Sequence, residues 1–395
     1  MNKSWKDPKT IVGNAARGEY YFHRANIVNT IWNELEKGNS ILIAAPRRVG
    51  KTSIMRYIEE NPKKNYRMVF SNIEGILSEK ELYKRIFDLI LSCLNKNKNI
   101  FNRFKNYLKS KNITEVDIKG KIKIEKNEID HEKELDALLD ELDSQNDTKI
   151  ILLLDELPEV LFNLHKIGKT DEAVSILKNM RRWRQNLNNK NILFVLAGSV
   201  GIHYVVNAIE NRSSDLNDLA EVNCFPLERS EFYEYIKWAT NGASVQYEEA
   251  LTDYFADKVQ YFVPYFLNLM LNEINLIAKK NDNPVVNEEI IDAAFYRISV
   301  NNDYFSDWKA RLKDYMQNSD YNFVNELLTH LAHKDELTIE MIYEKSVKHE
   351  KTDNFMDYID NLKKDGYIME KDGRFLFISP FLKAFWKHVN PVYHG

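Results

Sequence analysis

The residues best suited to chemistry lie in two short runs, Ala45-Pro46-Arg47-Arg48-Val49-Gly50-Lys51-Thr52-Ser53 and Asp155-Glu156. A glycine, a lysine and a hydroxyl residue at the start of a helix can cradle phosphate. Backbone N–H groups converge on the anion, the lysine reaches the β and γ phosphates, and the hydroxyl joins a magnesium shell. Residues 45–53 are therefore expected to hold ATP. Ala45 takes the place of the usual first glycine, which would strain the loop if that position needs a positive φ. The second run ends the apolar stretch Lys149-Ile150-Ile151-Leu152-Leu153-Leu154. Asp155 would share the magnesium shell with Thr52, and Glu156 would orient and activate the attacking water. A further apolar stretch, 191–197, runs into Gly198-Ser199. The Ser199 hydroxyl is a candidate sensor of the γ-phosphate, although Gly-Ser also suits an ordinary strand-ending turn.

These residues need elements that hold them in register. Apolar runs at 40–45, 66–73, 150–154 and 191–197 read as strands, and 51–60, 79–94 and 170–186 have helical spacing. Asn61-Pro62 should end the first of these helices. Continuous apolar strands alternating with helices predict an α/β fold with a parallel sheet covered on both faces. From residue 228 to about 315 helical patterns dominate, as expected of a helical lid. Beyond it, 323–332, 338–346 and 353–364 suggest three helices, followed by a hairpin through Lys371-Asp372-Gly373-Arg374, the pattern of a winged helix. The expected division is an ATPase core at 1–227, a lid at 228–316 and a winged helix at 317–395.

Composition narrows the class. A hydrophobic content of 44% over 395 residues is enough for real cores, so the chain should be globular. With 55 basic and 59 acidic residues, no global charge advertises nucleic acid or membrane. Cys93 and Cys224 are the only cysteines, which leaves no disulfide framework or thiolate zinc site and suits a reducing compartment. The start is polar and no apolar run reaches membrane-spanning length, so a cytoplasmic location without membrane contact is expected.

Taken together, Tyr21-Phe22-His23-Arg24, Pro46-Arg47-Arg48-Val49-Gly50-Lys51-Thr52-Ser53, Leu154-Asp155-Glu156-Leu157-Pro158 and Gly198-Ser199-Val200-Gly201-Ile202 resemble the prokaryotic archaeal-type ATPases. These are AAA+-like P-loop proteins related to STAND signalling ATPases, and the resemblance spans most of residues 20–390. It implies that Arg24 lies near the adenine pocket. It also implies an arginine near the nucleotide at Arg212, either as a finger acting within or across subunits of a homo-oligomer or as a surface residue. Tyr261-Phe262-Val263-Pro264-Tyr265 falls at the family's lid motif but departs from it at Phe262 and Val263, so no lid sensor is assigned. A C-terminal winged helix and a signalling or defence role follow from the same resemblance.

What the ATPase would act on stays open. A winged helix can read DNA with one helix, here 353–364, with Lys371 to Arg374 as the wing, or serve as a protein-interaction or intramolecular packing module; residues 321–395 hold ten Lys or Arg against twelve acidic residues, which favours the latter. Residues 95–127 hold ten Lys or Arg against three acidic residues, with Phe101, Phe104 and Tyr107 interleaved. That pattern fits single-stranded nucleic acid, but the alternation of Val116, Ile118, Ile122 and Ile124 fits core equally and is preferred. Arg181, Arg182 and Arg184 around Trp183 read as a helix surface facing a neighbour or the lid. His330 and His333 stand at i, i+3 without a third ligand, so no zinc is assigned. Three functions remain: an ATP-driven switch, a DNA-associated ATPase, and a nucleotide-binding regulator with negligible hydrolysis.

Overall fold

Two strands with no polar interior set the framework. Lys149–Asp155 and Ile192–Ala197 are buried almost throughout, which suits central strands of a sheet covered on both faces. The computed structural model describes residues 4–94, 115–116, 122–123, 130–143, 148–186, 191–198, 202–210 and 214–393. In chain order the first seven strands are β1 (Ile41–Ala44), β2 (Tyr66–Asn72), β3 (Glu115–Val116), β4 (Ile122–Lys123), β5 (Lys149–Asp155), β6 (Ile192–Ala197) and β7 (Ala220–Asn223). Five of them form a parallel sheet in the order β2-β5-β6-β1-β7, and β3 pairs with β4. The α/β class expected from the apolar runs is the one observed. The short edge strand β7 carries Glu221 and Asn223 and gives little apolar signal.

Register places the chemistry. Ile43 lies opposite Ala197, Ala197 opposite Asp155, and Asp155 opposite Asn72, so one row crosses four strands at their carboxyl ends. In an open α/β sheet this edge, beside the strand where the winding direction reverses, is where ligands bind. The start of β1 is pinned by Ser40, whose Oγ accepts the Phe194 amide at 3.1 Å and whose carbonyl accepts the Ala220 amide at 2.9 Å. The helix Lys51–Glu60 buries Ile54, Met55 and Ile58, and Pro62 prevents its continuation.

The chain divides into two compact units, residues 23–44 with 51–224, and residues 1–22, 45–50 and 225–395. The first holds the five-stranded sheet. In the second, the helix Arg229–Thr240 opens with a capping box between Glu228 and Glu231, and the N-terminal segment is strapped to the helices by hydrogen bonds. These run from Lys9 N to Ala239 O, Ser244 N to Lys6 O and Trp5 Nε1 to Asn275 Oδ1, at 2.8, 2.8 and 2.9 Å.

The same unit continues through the helices Glu249–Val259, Pro264–Lys280, Glu288–Val300 and Ser306–Tyr315. Then come the helix Asn318–Lys334, β8 (Leu337–Thr338), the helices Ile339–Lys348 and Phe355–Lys364, β9 (Ile368–Lys371), β10 (Arg374–Phe377) and the helix Pro380–Val389. The three short strands form an antiparallel sheet in the order β8-β10-β9. The three helices and hairpin expected here are present. The two-residue β8 and the closing helix are additions that the sequence pattern did not reveal. That closing helix packs on both the segment expected as lid and the segment expected as winged helix: the Phe381 ring lies tilted against Phe266 and Phe295 at 5.3 and 4.6 Å, and Phe385 against Phe305 at 5.5 Å.

Candidate nucleotide site

The loop after β1 is built by two residues in the left-handed region, Arg48 at φ 68° and Gly50 at φ 102°. Ala45 is not among the described residues with positive φ, so the strain anticipated there is absent and falls on Arg48 instead. A non-glycine residue held in this region costs about 1 kcal/mol or more. Arg48 is held by its surroundings: its guanidinium lies over the Tyr265 ring at 4.3 Å, a cation–π contact. Pro46 is held as well. A Cβ added to Gly366, in the turn after Phe355–Lys364, would stand 2.4 Å from the Pro46 Cβ. Val49 is 1% exposed and anchors the loop before Gly50 turns the chain into the helix.

Lys51 and Thr52 open that helix, with Ser53 behind them, and Lys51 is buried at 6% exposure. The Thr52 hydroxyl donates to Asp155 Oδ2 at 2.5 Å, joining the helix start to the carboxyl end of β5. Asp155 is 2% exposed, and its Oδ1 is buried without a hydrogen-bond partner. Burial pushes its carboxyl above the usual carboxylate range; the Thr52 hydrogen bond and the Lys51 cation oppose the shift, and the charge of Glu156 adds to it. A hydroxyl beside a carboxylate oxygen that lacks a donor is a hard-oxygen set of the kind magnesium takes. Magnesium commonly uses only one or two protein ligands, with phosphate and water completing the shell. No cluster of three or more His, Cys, Asp or Glu residues suited to a metal occurs among the described residues.

Glu156 follows at φ 67°, ψ 33°, at the N-cap of the helix Leu157–Lys166. Its amide donates to Ala197 O at 2.8 Å, which continues the β5–β6 pairing one residue beyond the strand. This kink turns the chain just after Asp155. Pro158 then lies against Gly198: a Cβ there would come within 2.3 Å of the Pro158 Cδ. Gly198 is thus required by close approach, a constraint that sequence reasoning did not assign. Ser199 and Arg212 lie outside the described residues, as do 95–114, 117–121 and 124–127 of the basic segment. Arg24 is buried at 7% exposure and forms the N-cap of the helix Ala25–Lys37. Arg47 is partly exposed. Tyr265, under Arg48, was missed as a loop contact; its place directly after Pro264 in the lid motif was the available signal.

No protein-family model matches the sequence, and no curated protein matches it. Among solved structures, the Walker-type ATPase PABY2304 of Pyrococcus abyssi superposes with a TM-score of 0.60 at 18% identity, over 94% of this chain and 97% of that one. The Aeropyrum pernix ORC2 protein, solved in ADPNP and ADP complexes, gives 0.54 at 11% identity over 98% and 100%. This chain has a P-loop ATPase fold. Within it, the loop after β1, the carboxylates after β5 and Gly198 after β6 stand at the carboxyl ends of neighbouring strands.

The reading of Arg181, Arg182 and Arg184 as a helix surface facing a neighbour or the lid is corrected at Arg184. Arg184 is 3% exposed at its side chain and grips Asp218 through two hydrogen bonds of 2.7 and 2.9 Å. Arg181 pairs with Asp215 at 2.9 Å, Arg182 with Asp136 at 2.8 Å, and the buried Trp183 donates to Asp136 at 2.7 Å. A desolvated cation requires such a partner, so Arg184 ties the helix Thr170–Gln185 to Asp218 inside the α/β unit, while Arg181 and Arg182, one-third and one-half exposed, pair with acids at its surface. His330 Nδ1 meets the Tyr393 hydroxyl at 2.7 Å and His333 Nε2 the Asn390 carbonyl at 2.8 Å, contacts within the C-terminal module. No described helix is long and apolar enough to cross a membrane.

Proposed function

We propose that this chain binds ATP with magnesium and hydrolyses it, and that nucleotide acts as a switch on the arrangement of the lid (228–316) and C-terminal module (317–395) relative to the core (1–227). The observation that carries the reading is the Thr52–Asp155 pair with its unsatisfied buried Oδ1. In this assignment the amides of residues 45–50 and the Lys51 ammonium bind the phosphates, and Arg24 borders the base. Thr52 and Asp155 hold magnesium, which when bound neutralises phosphate charge. Glu156 orients the attacking water and takes its proton, while Ser199 and Arg212 are proposed to face the γ-phosphate. The two structural relatives, a Walker-type ATPase and a protein solved with ADPNP and ADP, agree with this chemistry.

The switch reading draws support from the loop itself. Pro46 and Arg48 touch Gly366 and Tyr265, so a loop reshaped by phosphate must strain or release those contacts. A ligand shifts such an equilibrium only through different affinity for the two arrangements. A signalling or defence role is the biological setting that the sequence resemblance suggests. The DNA-associated alternative loses ground on the helix Phe355–Lys364, which exposes Asp357 and Asp360 where phosphate contacts would be needed.

Fluorescent ATP binding with and without magnesium tests the site. Wild type should bind more tightly with magnesium, and Thr52→Ala and Asp155→Asn should lose most of that enhancement while keeping magnesium-independent binding. Unchanged magnesium dependence in both variants would overturn the assignment.

A further inference from the structure

The helix Ile339–Lys348 buries Ile342 and Ser346 but leaves Ile339, Tyr343 and Val347 exposed at 42%, 50% and 54%. Their four-residue spacing aligns them on one stripe. Tyr343 also meets the Phe355 ring at 5.8 Å, which extends the apolar surface onto the start of the helix Phe355–Lys364. Single exposed apolar side chains need no explanation, whereas a continuous stripe marks an interaction surface.

Acidic side chains outnumber basic ones along this stripe, with the exposed Lys348 at its far end paired to Glu326. Glu340 and Glu344 are exposed on the adjoining stripe of the same helix, and Asp353 and Asp357 flank Phe355 in sequence and are exposed. Four lysines of this region are paired with other acids: Lys345 and Lys348 with Glu326, Lys351 with Asp320, and Lys363 with Asp360 and Glu370; Lys364 is exposed at the far end of the helix Phe355–Lys364. Among the described ion pairs, none uses Glu340, Glu344, Asp353 or Asp357. The result is an apolar stripe with a mainly acidic border on the helix Ile339–Lys348, continued onto the start of the helix Phe355–Lys364.

We propose that this face binds a basic amphipathic helix of a partner protein. The partner's apolar residues would cover Ile339, Tyr343 and Val347, and its lysines or arginines would face the acidic border. Apolar contact supplies the affinity, while charge sets the orientation and speeds encounter. The same border repels duplex DNA, which separates this reading from a nucleic-acid role.

The test uses the full chain and a labelled synthetic helical peptide with leucines on one face and lysines on the other, followed by fluorescence anisotropy. Wild type should bind it, more weakly as salt rises, and should not bind the matching leucine–glutamate peptide or duplex DNA. The double variant Tyr343→Ser/Val347→Ser and the charge reversal Glu344→Lys/Asp357→Lys should each weaken binding about tenfold or more. All four substituted residues are exposed, so ATP binding should be unchanged and reports that the variants are folded. Equal binding of the lysine peptide by wild type and both variants, no binding at all, or tighter binding of DNA or of the glutamate peptide would overturn the proposal.

Discussion

At the scale of single residues, the site depends on side chains and backbone positions that tolerate little change. Gly198 is the sharpest case, because a methyl group there collides with the Pro158 ring at the turn that carries Asp155 and Glu156. Gly198→Ala should lower stability by about 2 kcal/mol and reduce ATP turnover, measured by urea unfolding and phosphate release on the same preparation. Arg48 and Tyr265 form a second pair. A double-mutant cycle with Arg48→Ala and Tyr265→Ala should return a coupling of about 1 kcal/mol, whereas strict additivity would show that the ring and guanidinium do not interact. The sequence already made much of this chemistry legible: Gly50, Lys51, Thr52 and Asp155 stood in an order that phosphate and magnesium chemistry explains. It did not disclose Tyr265 or the Gly198–Pro158 contact. Both join positions tens of residues or more apart, and no local pattern encodes which ring will meet which backbone.

At the scale of elements, the long apolar strands and amphipathic helices were readable because burial on both faces or on one face leaves a periodic record. Short strands such as β7 and β8 leave none, since two to four residues are too few for a period. Arg184 was misread for a related reason: charge on a helix suggests solvent until Asp218, some thirty residues on, is seen to pair with it.

Two glycines in the C-terminal module allow a clean comparison. Gly366 and Gly373 have similar positive φ, 77° and 72°, but only at Gly366 would a side chain strike Pro46; at Gly373 it would meet open space. Both alanine variants carry the backbone strain of about 1–2 kcal/mol. Gly366→Ala should be the more destabilising by a further margin, partly restored by Pro46→Gly, and equal melting temperatures would refute the contact.

The same module should respond to acid. Glu326 is partly buried, which opposes its ionisation, yet hydrogen bonds from His349, Lys348 and Lys345 hold its carboxyl at about 2, below its ordinary value of 4.5. A depressed carboxyl contributes stability that is fully present above the ordinary value and is lost as pH falls through the folded one. Wild type should therefore lose stability between about pH 4.5 and about pH 2 more steeply than Glu326→Gln, as followed by thermal melts across that range.

For the whole molecule, one compact unit carries the parallel sheet with Lys51, Thr52, Asp155 and Glu156, and the other contains the loop residues 45–50 and 225–395. In the proposed switch, the contacts of the loop with Tyr265 and Gly366 are what nucleotide would act on. The acidic, apolar face on Ile339–Lys348 would be the output of such a switch. The central claim, that this machine turns over ATP, rests on Lys51 and Glu156 having separate roles. It is tested by measuring ATP binding and phosphate release for wild type, Lys51→Ala and Glu156→Gln in parallel. The account predicts that Lys51→Ala loses both activities, whereas Glu156→Gln keeps binding and releases phosphate about a hundredfold more slowly or less. Equal turnover in all three would contradict it.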